Sequence, residues 1–165
     1  MAAVVALGLG ANLGDRGGNV ARALEIIGAI PETSVTATAH LIETDPVGGP
    51  PGQGKYLNTA CLVETGLTPL ALLRALQGIE RRLGRERRAN RERWGPRRID
   101  IDILLWDNRR RNLPGLTIPH PRMAERLFVL RPLAEIAPDM THPVLRRTIG
   151  ELYCFQLNIS GWRVF

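Results

Sequence analysis

Two cysteines in 165 residues, Cys61 and Cys154, are too few for a disulfide framework. Cys61 sits in an apolar run and is expected to be a buried free thiol. Aromatic residues make up 5% of the chain and form no RNP-like motif. A basic RNA-binding domain on a ferredoxin-like sheet would need such a stacking face. No apolar run approaches the ~20 residues that cross a bilayer. The N-terminal MAAVVALGLGANLGD has no basic leader and continues into a structured pattern, so no signal peptide is expected. Lys55 is the only lysine; the other basic residues are arginines. These absences lead to an expectation of a soluble, cytoplasmic protein without nucleic-acid or membrane partners; a monomer is also expected. Its length fits a single domain over residues 1–165.

What is present starts with charge. The net charge is +6, and part of the arginine excess, beside abundant alanine and glycine, reads as the usage of a high-GC genome. The rest is local: residues 81–98, RRLGRERRANRERWGPRR, are dense in arginine. Such a run either meets polyanionic phosphate or is a solvated segment. The hydrophobic share of 44% is enough for a core.

The chain alternates in type. AAVVALGLG reads as a strand, residues 12–18 as a polar turn, and NVARALEIIGAI as a helix. SVTATAHLIET is one β-rich stretch, residues 45–54 are a Pro/Gly loop, and YLNTACLVET is a further strand. TPLALLRALQGIERRLG reads as a helix with Thr68 as N-cap, Pro69 in its first turn and Gly84 at its stop. RIDIDILLW closes the series as a strand. The order β-α-β-β-α-β predicts an α+β, ferredoxin-like fold of three α-β-α layers, its antiparallel sheet followed by additional C-terminal elements.

Two glycine-rich stretches imitate nucleotide sites. Residues 49–55, GPPGQGK, match G-x-x-x-x-G-K, but Tyr56 replaces the expected Ser or Thr and a strand follows instead of a helix. Two prolines also remove N–H donors from the supposed cradle. GLGANLG, residues 8–14, follows a strand and precedes a helix, yet its G-x-G-x-x-x-G spacing is one residue too long for a dinucleotide fingerprint. It reads as a tight turn.

The chemistry concentrates in GPRRIDIDILLW. On a strand, Asp100 and Asp102 share a face, ~6–7 Å apart, with Ile99, Ile101 and Ile103 opposite. The aspartate face is expected to continue with Leu104 and Trp106. Two carboxylates at the edge of an apolar face repel each other unless a cation lies between them, and Mg²⁺ prefers such oxygen donors. The alternative is a solvated strand face. Arg97 and Arg98 precede the pair, and carboxylates for metal beside arginines for phosphate are the parts of a phosphoryl-transfer site. No nucleophile-base dyad is legible, which favours direct displacement.

LGLGANLGDR, YLNTACLVET, ERRLGRERR, ERWGPRRIDIDILLW and LTIPHPRMAERLFVLRPLAEIAPD, in this order over residues 4–138, resemble the 6-hydroxymethyl-7,8-dihydropterin pyrophosphokinase family of folate biosynthesis. The resemblance implies transfer of the β,γ-pyrophosphate of ATP to the pterin hydroxymethyl group, with release of AMP. It implies that Asp100 and Asp102 hold two Mg²⁺ ions, that Arg97 clamps phosphate, and that Arg85 enters with its loop to assist transfer. Trp94, Gln77, Glu80, Ile103, Thr117, His120 and Arg126 are implied on the ATP side. On the pterin side, Tyr56 and Phe128 would sandwich the ring, Asn58 would meet its edge, and Thr44, Pro46, Val47 and Gly48 would complete the pocket. Loops at 48–54 and 84–96 would close over the substrates. Asp45 stands where many members have proline, Gly115 replaces a basic residue, the arginine loop is slightly longer than the pattern, and no role is implied for the tail beyond Pro138. A non-catalytic pterin- or ATP-binding relative is the other reading of the same motifs.

Overall fold

The computed structural model describes residues 1–84 and 98–161. Its main sheet is built from β1 (Ala3–Ala11), β2 (Thr33–Thr38), β3 (Ile42–Thr44), β4 (Tyr56–Thr65) and β5 (Asp100–Trp106). The order is β2-β4-β1-β5, with β3 also on β4, and the pairings are antiparallel. Helices α1 (Arg16–Gly28) and α2 (Pro69–Arg82) link the strands. This is the expected ferredoxin-like fold.

Side-chain alternation sorts β1 into two cores. Val5, Leu7, Leu9 and Ala11 pack with Val20 and Ile27 of α1 and Leu72 and Leu76 of α2. Ala6 belongs to a second core on the opposite face. There it meets α3 (Leu127–Ile136) and α4 (Ile149–Ser160). Between β5 and α3 the chain makes a hairpin, β6 (Arg111–Leu113) and β7 (Leu116–Ile118), and a 3-10 turn at Met123–Glu125. A small hairpin, β8 (Thr141–His142) with β9 (Arg147–Thr148), leads into α4. The tail beyond Pro138 thus contributes to the fold, since Ile149 and Leu152 of α4 complete the second core. A capping box starts that helix, Glu151 N–H donating to Thr148 Oγ1 and Thr148 N–H to the Glu151 carboxylate, both at 3.2 Å.

Local chemistry moved three boundaries. Helix α1 starts at Arg16, ahead of the expected Asn19, because Asp15 caps it: its carboxylate accepts from Gly18 N–H at 3.1 Å. The β-rich stretch at 34–44 is two strands, not one. It breaks at Ala39, whose N–H donates to Ala60 O and whose carbonyl accepts from Thr59 Oγ1. Finally, β5 carries a bulge. Leu7 pairs with Ile103 but Ala6 with Leu105, so Leu104 is an extra residue. Leu104 and Leu105 therefore both enter the second core, and Trp106 turns to the core of α1 and α2. The expectation that Trp106 extends the aspartate face fails for this reason. The Leu104 carbonyl accepts from His120 N–H at 2.9 Å, which ties the segment after β7 to the sheet.

Candidate active site

Rows across the sheet bring distant residues onto one face. Asp100 pairs with Gly10, Gly10 with Asn58, and Asn58 with Ile42. One row along, Asp102 pairs with Gly8. Adjacent strands lie ~4.8 Å apart, so Asp100 and Asn58 stand ~10 Å apart with a glycine between them. A cavity of about 310 Å³ opens over this face. Gly8 and Gly10 form its floor, Asp100 and Asp102 one end, Tyr56, Asn58 and Thr44 the other, and Arg122, Arg126 and Phe128 the opposite wall.

The floor needs glycine. A Cβ on Gly10 would lie 2.8 Å from Asn58 Oδ1, closer than real contacts permit. One on Gly8 would lie 3.3 Å from the Leu104 side chain. The stretch discounted as a false fingerprint therefore supplies the flat bottom of the cavity. Asn58 is buried and its Nδ2 donates to Thr44 Oγ1 at 2.6 Å, which fixes the amide. The guanidinium of Arg126 lies 5.6 Å from the centre of the Phe128 ring, within cation-π range.

His120 borders this region in its neutral form. Burial lowers its pKa first, the nearby Arg126 charge lowers it further, and Asp100 opposes with Arg122 adding to the fall. Its Nδ1 accepts from Arg122 N–H at 3.2 Å, so the ring proton belongs on Nε2.

The sequence expectations divide. Thr44, Val47, Tyr56, Asn58, Asp100, Asp102, Arg126 and Phe128 converge on the cavity; Pro46 and Gly48 belong to its loop but do not line it. Thr117 and His120 line a second groove of about 870 Å³, between the β6–β7 hairpin and α4, and Glu125 borders both spaces. Gln77 is half-buried on α2, and Ile103 is a core side chain. Glu80 is buried, and its Oε1 accepts from Ile101 N–H at 3.1 Å. None of these three lines either space. Arg85, Trp94 and Arg97 lie outside the described residues. Sequence reasoning missed Gly8, Gly10, Arg122 and Glu125. All four carried a signal, since Gly8 and Gly10 lie in LGLGANLGDR and Arg122 and Glu125 in LTIPHPRMAERLFVL, two of the motifs that carry the resemblance.

The architecture is shared with solved structures. Wild-type Plasmodium falciparum HPPK-DHPS superposes with a TM-score of 0.74 at 15% identity, covering 99% of this chain and 47% of that longer one. A crystal structure titled HPPK-DHPS in complex with substrates gives 0.72 at 14% identity, covering 97% and 44%. The chain therefore spans less than half of those proteins, and at such identity the likeness is one of fold. Sequence carries the comparison further. The 2-amino-4-hydroxy-6-hydroxymethyldihydropteridine pyrophosphokinase of Pseudomonas aeruginosa is 42% identical over 139 residues, 84% of this chain and 83% of that protein. The enzyme of the same name from Bacillus subtilis is 43% identical over 134 residues, 81% and 78%. These relatives make the chain an enzyme of the diphosphotransferase class. A family model, 7,8-dihydro-6-hydroxymethylpterin-pyrophosphokinase (HPPK), matches residues 6–138, and the chain belongs to that family of folate biosynthesis.

Proposed function

We propose that this chain transfers the β,γ-pyrophosphate of ATP to 6-hydroxymethyl-7,8-dihydropterin, yielding the pterin diphosphate and AMP. The observation that carries the reading is the Asp100–Gly10–Asn58 row, with carboxylates at one end of a glycine floor and a fixed amide at the other, in a cavity that Tyr56 and Phe128 also line. In the reaction the hydroxymethyl oxygen bonds to the β-phosphorus. The bond from that phosphorus to the α,β-bridging oxygen breaks, AMP leaves with the electron pair, and the hydroxyl proton is released.

The chain supplies position and charge. Tyr56 and Phe128 hold the flat ring between them. Asn58 both donates and accepts, which suits the pterin edge, and Thr44 keeps it oriented. Pro46, Val47 and Gly48 border the ring from their loop. Arg126, Arg122 and the Nε2–H of His120 meet the polyphosphate, with Thr117, Gln77 and the Ile103 main chain on the nucleotide side. Outside the described residues, Arg97 would clamp phosphate, Arg85 would assist the transfer and Trp94 would stand beside the nucleotide. Holding both substrates in line supplies much of the rate.

Asp100 and Asp102 suit Mg²⁺. It binds hard oxygen donors, commonly one or two carboxylates with phosphate oxygens and water. Substrate phosphate oxygens and water would supply its other ligands. Two bound ions would neutralise charge on the phosphates during transfer. No described helix is long and apolar enough to cross a membrane. We read the protein as a monomer, and as cytoplasmic because the two free thiols, Cys61 and Cys154, suit a reducing compartment.

The test is product analysis with ATP, Mg²⁺ and the hydroxymethyl pterin. AMP with a diphosphorylated pterin is expected, and Asp102→Asn should lower the rate by ~10²-fold or more while the fold persists. ADP as product would overturn the reaction. A chain that binds pterin and turns nothing over would be a binding-only relative.

A further inference from the structure

We infer that Glu80 is a positioning residue for the Asp100/Asp102 pair and acts through the backbone of Ile101. The inference rests on the proposed reading of those two aspartates. Among the described residues, strand β5 lies at the edge of the sheet and pairs with β1 alone. Alternate N–H groups of an edge strand point away from the sheet and need another partner. Ile101 stands between the two aspartates, and its N–H donates to Glu80 Oε1 at 3.1 Å. Glu80 projects from the end of α2 and is 2% exposed.

A carboxylate is rarely buried to that degree, and its desolvation is costly. A neutral acceptor would satisfy the Ile101 amide at lower cost. What the carboxylate adds is a charge-assisted bond, roughly twice as strong as a neutral one. That bond falls on the residue whose two neighbours carry the cavity's carboxylates. The Ile101 side chain is anchored in the core beneath. Strand β5 is thus held at this point by the Ile101 side chain, by the pairing of the two aspartates with Gly10 and Gly8, and by Glu80 on the outer edge. Without the third hold the edge strand frays, and misplacement of a reacting group by ~1 Å costs ~10²-fold in rate.

The experiment compares Glu80→Ala and Glu80→Gln in the full chain. It reads hydrogen exchange of the Ile101 amide, the Mg²⁺ dependence of ATP binding, and kcat with the pterin KM. Glu80→Ala should speed exchange at Ile101 by ~10-fold or more, raise the Mg²⁺ requirement, and cut kcat by ~10–100-fold with the pterin KM within ~2-fold. Glu80→Gln keeps an acceptor oxygen but loses the charge, and should restore only part of the protection and rate, falling between Glu80→Ala and the wild type. Should Glu80→Ala not fold, Glu80→Asp, one methylene short of the amide, gives the same readouts. Faster Ile101 exchange with unchanged kcat and Mg²⁺ dependence would overturn the inference, leaving only an edge cap. Wild-type exchange in Glu80→Gln with the full rate loss would also overturn it. If the wild type forms no AMP, the proposed function fails, yet exchange and Mg²⁺–ATP binding still decide the role of Glu80.

Discussion

Gly10→Ala tests the geometry of the cavity most directly. The added Cβ would lie 2.8 Å from Asn58 Oδ1, so Asn58 must retreat by about 0.6 Å to reach an ordinary contact of 3.4 Å. It has little room. Its side chain is buried and its amide is held by Thr44 Oγ1 at 2.6 Å. The backbone of Gly10 lies in β1 and shows no positive φ, so the penalty is the contact alone. Overpacking of this kind costs ~1–3 kcal/mol. If Asn58 meets the pterin edge, the penalty appears as ~5–150-fold weaker pterin binding. Nucleotide affinity should barely change. Gly8→Ala is the comparison, because its Cβ meets the Leu104 side chain at a looser 3.3 Å, about 0.1 Å short of an ordinary contact. Calorimetric titration of each variant with the pterin, beside a nonreactive ATP analogue, separates the cases. Wild-type pterin affinity in Gly10→Ala, or equal losses in both variants, would refute the reasoning.

The pH dependence of stability follows from two histidines. Burial is the leading cause of the lowered pKa of both His120 and His142. The unfolded chain therefore binds more protons, so their contribution is present above ~6.5 and is lost as pH falls through their lower folded values. Urea midpoints should drop as pH falls from 7 to 5, and His142→Gln should flatten that slope. The Cys61 thiol is pushed up to about 12 by burial, so a thiol reagent at pH 8 should modify only the exposed Cys154 in the native chain. A second fast-reacting thiol would contradict that burial. Thr148→Ala removes the N-cap of α4 and should cost ~0.5–2 kcal/mol, read as a fall of several degrees in Tm.

The strand and helix order, the Thr68 cap and the shared face of Asp100 and Asp102 were legible because each depends on near neighbours in the chain. Periodicity, a hydroxyl before a proline, and an i, i+2 spacing are local facts. The resemblance of five motifs added the family. Less legible was the tail beyond Pro138, whose α4 serves the second core through contacts that its own sequence does not announce.

What lay beyond local reading was set by pairing. The parity of β5 reverses at Leu104 because β1 leaves that residue without a partner, and no feature of IDILLW marks the bulge. Glu80 looked like a polar residue on the nucleotide side of a helix until β5 was seen to offer it an outward N–H. The glycines of GLGANLG failed as a fingerprint on spacing, which was correct, but their use depends on Asn58 lying directly opposite Gly10 in a strand far along the chain. The sequence by itself determined the elements, the carboxylate pair and the family, because those reside in short-range pattern and motif. Only the tertiary structure decided which face each side chain occupies and which N–H, carbonyl or Cβ space it meets, because strand register is a property of two segments and is written in neither alone.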